Sequence, residues 1–176
     1  MADETSTAVA AGPLAAGRLG FQSRALLVGT GIDVAALGST DRTGNAPLVV
    51  ELIGSSLGGY YATALAEATG CRAVLLNPAV RPAQGLAQHV GPQTAWHSED
   101  QFEFLPEYID ELVSLEVARI TQPERYFLIA ATGDEVLDWR EMVGHYPGAR
   151  QRVIDGSDHG LSDFDQYIDE VLAFCA

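Results

Sequence analysis

No lysine occurs among the 176 residues; all ten basic side chains are arginines, set against 24 acidic residues for a formal net charge of −14. That absence removes mechanisms that start from an amine, because no side chain is available for a Schiff base or for the lysine of a phosphate-binding P-loop. The acidic balance excludes more. A nucleic-acid backbone is bound by neutralising its phosphates with basic groups, so nucleic acid is not an expected partner. Long hydrophobic runs are lacking as well, and no stretch reaches the length needed to cross a bilayer; no membrane partner is expected. The chain starts with Asp3 and Glu4, and Gly12, Pro13 and Gly17 interrupt its small-residue stretch, unlike the basic and apolar regions of a secretory signal. Cytoplasmic residence is the default expectation. Only two cysteines are present, Cys71 and Cys175, without metal-ligand or redox spacing, and both are read as buried free thiols. No metal or organic cofactor is expected.

What is there describes one globular domain: 47% hydrophobic and 19% charged residues suit a packed core, and the length suits a single one. The first 48 residues carry four acids and three arginines, the remainder 20 acids and seven arginines. Residues 1–48 are therefore read as an atypical N-terminal segment, poorly ordered, and 49–176 as the folded domain. A strand-like run, Ala25-Leu26-Leu27-Val28, precedes the boundary. Beyond it, short apolar runs alternate with helical patterns, as in a mainly parallel sheet. Residues 48–53, 73–76, 126–131 and 152–154 read as strands, and 57–69 as a helix with Gly70 as its stop. The last helix is read from Phe164, Tyr167, Ile168, Val171, Leu172 and Cys175 on one face, with Ser162 and Asp163 at its start. An insert over 83–123 carries Trp96, Phe102 and Phe104, then a helix starting near Pro106.

Gly54-Ser55-Ser56-Leu57-Gly58 matches G-x-S-x-G, directly after a strand and opening a helix. That turn forces its central serine into a strained backbone, so glycines on either side relieve crowding while the hydroxyl projects above the sheet. Gly54, Gly58 and Gly59 meet that need, and Ala62 keeps the helix slender. The Leu57 N–H, at the helix N-terminus, is the candidate oxyanion donor. Alone the motif is also a plain glycine-rich strand-to-helix turn; its partners add weight. Asp134 leaves a strand end in Thr132-Gly133-Asp134-Glu135-Val136, and His159 lies on the loop Asp155-Gly156-Ser157-Asp158-His159-Gly160 before the last helix. A hydroxyl is a poor nucleophile without a base. Neutral His159 would take the Ser56 proton while Asp134 fixes the tautomer and stabilises the imidazolium. Glu135 and Asp138 remain alternatives for the acid. Asp158 is read as a loop carboxylate, and His89, His97 and His145 as surface or packing residues.

Three stretches, Gly54 through Thr63, Asn77-Pro78-Ala79-Val80-Arg81-Pro82 and Thr132 through Asp138, resemble the small bacterial YqiA-type esterases, from about Leu52 to the end of the chain. The resemblance implies an α/β-hydrolase fold, a three-layer α/β/α sandwich with a mostly parallel sheet that here lacks normal N-terminal strands. It also implies a serine esterase acting on short-to-medium acyl esters or thioesters through Ser56, Asp134 and His159. Arg81 would lie beside the site, where it meets either an anionic substrate group or a structural salt bridge. Trp96, Phe102 and Phe104 serve either as an apolar lid or as core.

One feature of that family has no counterpart. Its members begin with a strand ending in His-Gly, whose loop supplies a second oxyanion donor, whereas the first histidine here is His89. Two readings stay open: a start foreign to the family, from a frameshift or misassigned frame, or a divergent cap in which Gly29 or Gly31 of Val28-Gly29-Thr30-Gly31 offers the amide. A dinucleotide-binding reading of the same stretch fails because Val34 stands where a third glycine belongs. The rival to an esterase is a hydrolase-like binding protein whose three residues are idle.

Overall fold

A computed structural model of the chain describes residues 32–34, by their backbone, together with 51–94 and 101–175. In chain order the elements are strand β1 (Ile32–Val34), β2 (Glu51–Ser55), helix α1 (Leu57–Thr69), β3 (Arg72–Leu76), α2 (Pro82–Leu86), β4 (Gly91–Thr94), β5 (Gln101–Phe104), α3 (Pro106–Ser114), β6 (Tyr126–Ala131), α4 (Trp139–His145), β7 (Arg150–Ile154) and α5 (Ile168–Cys175). The strand-like run at 25–28, the glycines at 29 and 31, Trp96 and His97 lie outside the described residues.

The unbroken apolar runs of β3 and β6 lack the alternation of a half-solvated strand, and the structure shows why: both are central and covered on two sides. The sheet order is β1-β2-β3-β6-β7. Strands β2, β3, β6 and β7 run parallel, and β1 pairs antiparallel with β2. Successive residues of β6 serve opposite faces. Tyr126, Leu128 and Ala130 pack with Ala62 and Ala66 of α1 and Met142 of α4. Phe127, Ile129 and Ala131 pack with Tyr167 and Val171 on the α5 side. Helices thus cover both faces in the expected three-layer sandwich with a mostly parallel sheet. Every residue of β6 is buried, and truncating one of its large side chains, such as Phe127→Ala, is worth about 3–5 kcal/mol.

Two sequence expectations shift in detail. The first predicted strand, 48–53, is described from Glu51 and continues to Ser55, since Gly54 and Ser55 still pair with Leu75 and Leu76. The final helix is not one continuous face. A 3₁₀ turn at Phe164–Gln166 precedes α5, and its tighter winding changes the helical phase. Tyr167 and Val171 are buried while Ile168 and Leu172 are 45% and 59% exposed, so Phe164, Phe174 and Cys175 complete the packed face. Gly70 stops α1 as expected, at φ 82° with its N–H on the Ala66 carbonyl. Within the insert, β4 and β5 form a separate hairpin. On it Phe102 is 48% exposed, and Phe104 meets Tyr108 edge-on. Both cysteines are free thiols and half-buried rather than fully enclosed, with burial pushing the Cys175 thiol up to about 12. Among the described residues no helix is long and apolar enough to cross a membrane.

Candidate active site

The carboxyl ends of β2, β3, β6 and β7 lie side by side, and the loops that leave them carry Ser56, Asn77, Asp134 and His159. At the end of β2 the chain reverses into α1 through Ser56, whose φ of 55° and ψ of −125° are sterically costly for a residue with a side chain. The turn can be this tight because its neighbours are glycines. A Cβ on Gly54 would stand 2.6 Å from the Gly58 carbonyl carbon, and one on Gly59 would stand 2.5 Å from Pro78 Cβ. The Ser56 N–H donates to the Leu76 carbonyl at 3.0 Å, while its own carbonyl accepts from Gly59 and Ala79 at 2.9 Å each. Leu57 opens α1, so its N–H has no intrahelical acceptor and adds to the positive helix end.

Asp134 and His159 are brought together by a zipper between two loops. Thr132 N–H donates to the Ile154 carbonyl at 2.8 Å, Gly133 N–H to the Gly156 carbonyl at 2.9 Å, and Gly156 N–H to Thr132 Oγ1 at 2.8 Å. Across it, His159 Nδ1 lies 3.0 and 2.9 Å from Asp134 Oδ1 and Oδ2. The other ring nitrogen, Nε2, lies 2.9 Å from Ser56 Oγ. The Asp134 side chain is 0% exposed and that of His159 21%, so the carboxylate is shielded while the ring keeps an open edge. Asp134 Oδ1 also accepts the Val136 and Leu137 N–H groups at 2.8 Å each.

The other carboxylates take different places. Glu135 accepts the backbone N–H of His159 at 3.0 Å, and Asp138 caps α4 by accepting the Arg140 N–H. Asp158 closes its own turn: the Ser162 backbone N–H, 2.9 Å from Oδ1, holds its carboxyl below the usual range. His89 is exposed. His145 packs edge-on to Tyr146, and burial followed by the nearby Arg81 charge lowers its pKa. Arg81 lines a depression of about 430 Å³ with Arg119, Glu141 and His145, which shares no lining residue with a cleft of about 460 Å³ beside Asp134. Among the described residues Arg72, Arg140, Arg150 and Arg152 pair with carboxylates, and Arg81 pairs with none. No group of three His, Cys, Asp or Glu side chains among them is placed to hold a metal ion.

This arrangement of Ser56, Asp134 and His159 stands in a chain whose residues 40–176 match the model of an uncharacterised protein family, UPF0227. The chain belongs to UPF0227, the YqiA-like esterase family. The family match begins at residue 40, ahead of the motifs near Leu52. In overall fold this UPF0227 chain is similar to a putative hydrolase from Agrobacterium vitis S4, with 19% identity and a TM-score of 0.54 over 70% of this chain and 60% of that one. It is also similar to the esterase domain of a Rhodothermus marinus protein, with 22% identity and a TM-score of 0.50 over 69% and 58% of the two chains. It therefore spans less than two thirds of the length of either. At such identities the likeness establishes the α/β-hydrolase fold.

Two contributions escaped the sequence reading. Asn77 and Glu135 both bind the His159 peptide. The available signal was a polar Asn77 before Pro78 at the end of an otherwise apolar strand; Glu135 offered none.

Proposed function

We propose that this protein is a serine esterase that hydrolyses short-to-medium acyl esters or thioesters through an acyl-Ser56 intermediate. The single observation that supports it most is the Ser56 Oγ to His159 Nε2 distance of 2.9 Å, with the opposite ring nitrogen against the buried Asp134 carboxylate. In this reading His159 accepts the hydroxyl proton as Oγ attacks the carbonyl carbon. Asp134 holds the Nδ1 proton and stabilises the imidazolium. The Leu57 N–H donates to the oxygen that gains charge, and preorganised donors of this kind are worth about 10²–10³ in rate each. The imidazolium then gives its proton to the departing alkoxide or thiolate. Water, deprotonated by His159, releases the acid in a second attack of the same form. No step calls on a metal or organic cofactor.

Arg81 is assigned, in the same reading, to an anionic group of the substrate. Its support is that, among the described residues, no carboxylate pairs with it, although Glu141 lines the depression that it shares with Arg119. The check is that Arg81→Ala raises KM for a carboxylate-bearing ester more than for its neutral analogue.

A panel of p-nitrophenyl esters of increasing acyl length, run on wild type and Ser56→Ala, tests the proposal. The loss expected in kcat is about 10⁶-fold, the scale seen when a serine nucleophile is removed. A fluorophosphonate should label wild type at Ser56 and leave the variant unlabelled. Equal hydrolysis by both proteins, or well-folded wild type that stays unlabelled, would favour the hydrolase-like binding protein instead.

A further inference from the structure

The bonds that hold His159 do not end at Asp134. Asn77 follows the last residue of β3, is 0% exposed, and adopts φ 40°, a left-handed conformation that asparagine tolerates better than most residues. Its backbone N–H donates to the Ile129 carbonyl at 2.9 Å. Its side chain is fully engaged. Nδ2 donates to the Asp158 carbonyl and to the His159 carbonyl, both at 3.0 Å, while Oδ1 accepts the Ala131 N–H at 2.8 Å. The amide has one sensible orientation, since two of its neighbours are carbonyl oxygens and the third is an N–H donor.

We propose that Asn77 is a positioning residue that clamps the His159 peptide to the ends of β3 and β6, and so sets the reach of the imidazole to Ser56. This inference rests on the reading of Ser56, Asp134 and His159 as the reacting group. The physical case is that both Nδ2 protons go to the base loop and to nothing else in the fold. Glu135 holds the His159 N–H from the other side of the same peptide, but its carboxylate is exposed and competes with water. Asn77 is enclosed, so its bonds have no solvent substitute, and removing the amide leaves the Asp158 carbonyl, the His159 carbonyl and the Ala131 N–H to find new partners. The loop around His159 is already unfavourable for L-residues, with φ of 59° at Ser157 and 49° at Leu161. Without the clamp it relaxes, and the ring leaves its place.

The test compares wild type with Asn77→Gly, which keeps the backbone at ease and deletes the clamp, and with Asn77→Asp, which keeps an acceptor for Ala131 but loses both donors. Expected in either variant is a fall in kcat for a p-nitrophenyl ester of about 10²-fold, the scale of a small misplacement of a reacting group, with KM little changed. The downfield proton resonance expected of the His159 imidazole in wild type should be lost to exchange. A folded variant with wild-type kcat and an intact imidazole resonance overturns the proposal. Should neither variant fold, wild type decides: slow hydrogen exchange at the Asn77 side-chain amide supports the clamp, and exchange as fast as an exposed amide overturns it. The imidazole resonance and amide exchange need no turnover. An inactive wild type would thus sink the esterase reading and leave these two measurements to judge the clamp.

Discussion

The turn that carries Ser56 and the loop that carries His159 meet at 2.9 Å, but they are held there by different means. At Ser56 the determinants are mostly local: Gly54 leaves room for the Gly58 and Gly59 backbone, Gly59 closes the turn onto the Ser56 carbonyl, and α1 starts at once. At His159 nearly everything comes from far along the chain. Glu135 lies 24 residues away, Asp134 25 and Asn77 82. A side chain placed by steric exclusion within a few residues is set as soon as strand and helix form. A side chain placed by groups from two other strand ends is set only when the sheet is complete. Damage to the first is expected to register in stability, and damage to the second in chemistry with the fold intact.

The strongest way to separate the two is Asp134→Asn. Because Val136 and Leu137 both donate to Oδ1, the amide oxygen would take that position and the new NH₂ would face His159 Nδ1. The ring would then carry its proton on Nε2, where it cannot accept one from Ser56. kcat should fall about 10⁴-fold, as for the wrong tautomer in this type of site, with the melting temperature little changed in a parallel thermal scan.

On the Ser56 side the matching change is Gly54→Ala. The added methyl would sit 2.6 Å from the Gly58 carbonyl carbon and 2.8 Å from Gly59 Cα, both backbone atoms, so the turn must shift. A loss of about 1–3 kcal/mol is expected in denaturant unfolding. Gly144→Ala in α4 is the control: nothing lies within 4 Å of a Cβ there, and a stabilisation of about 0.5–1 kcal/mol is expected.

Glu67→Gln probes a link remote from both regions. Burial raises the Glu67 pKa, but bonds from Tyr126 and Thr121 outweigh it and hold the carboxyl below its usual value. Its ionised form therefore contributes stability above the ordinary carboxylate pKa, lost as pH falls through the lowered folded value. The variant should lose about 1–2 kcal/mol at neutral pH from its charge-assisted bonds, show a smaller drop in stability on acidification, and keep kcat. Smallest of all is Glu135→Ala, for which about a threefold loss in kcat is expected from one exposed hydrogen bond. Glu135→Gln, which still offers an acceptor to His159, should recover it in the same steady-state assay.

The legible part of the molecule was the part with a local signature. Doubly buried β3 and β6 announced themselves as unbroken apolar runs, Gly70 as the stop of α1, and Gly54 to Gly58 as a strand-to-helix turn. The face of α5 was legible only in part: Phe164, Tyr167, Val171 and Cys175 pack as expected, but the 3₁₀ turn at Phe164–Gln166 changes the phase between Phe164 and the later residues and leaves Ile168 and Leu172 exposed. Helix α4 went unread although Asp138 and Glu141 carry a capping signature, since Gly144 and its short length weaken the periodic pattern. The β4–β5 hairpin has almost no sequence pattern: its strands contain Gly91, Pro92 and Gln93, and their pairing is decided by the partner strand.

For the candidate site, the sequence by itself determined the Ser56 turn and the chain order of Ser56, Asp134 and His159. These depend on backbone sterics and chain direction, which short motifs encode. Only the tertiary structure decided which of Asp134, Glu135 and Asp138 faces the imidazole, and that Asn77 reaches its peptide. Those outcomes depend on where Thr132 and Gly133 zip against Ile154 and Gly156, and a contact between strand ends has no local steric signature from which to be read.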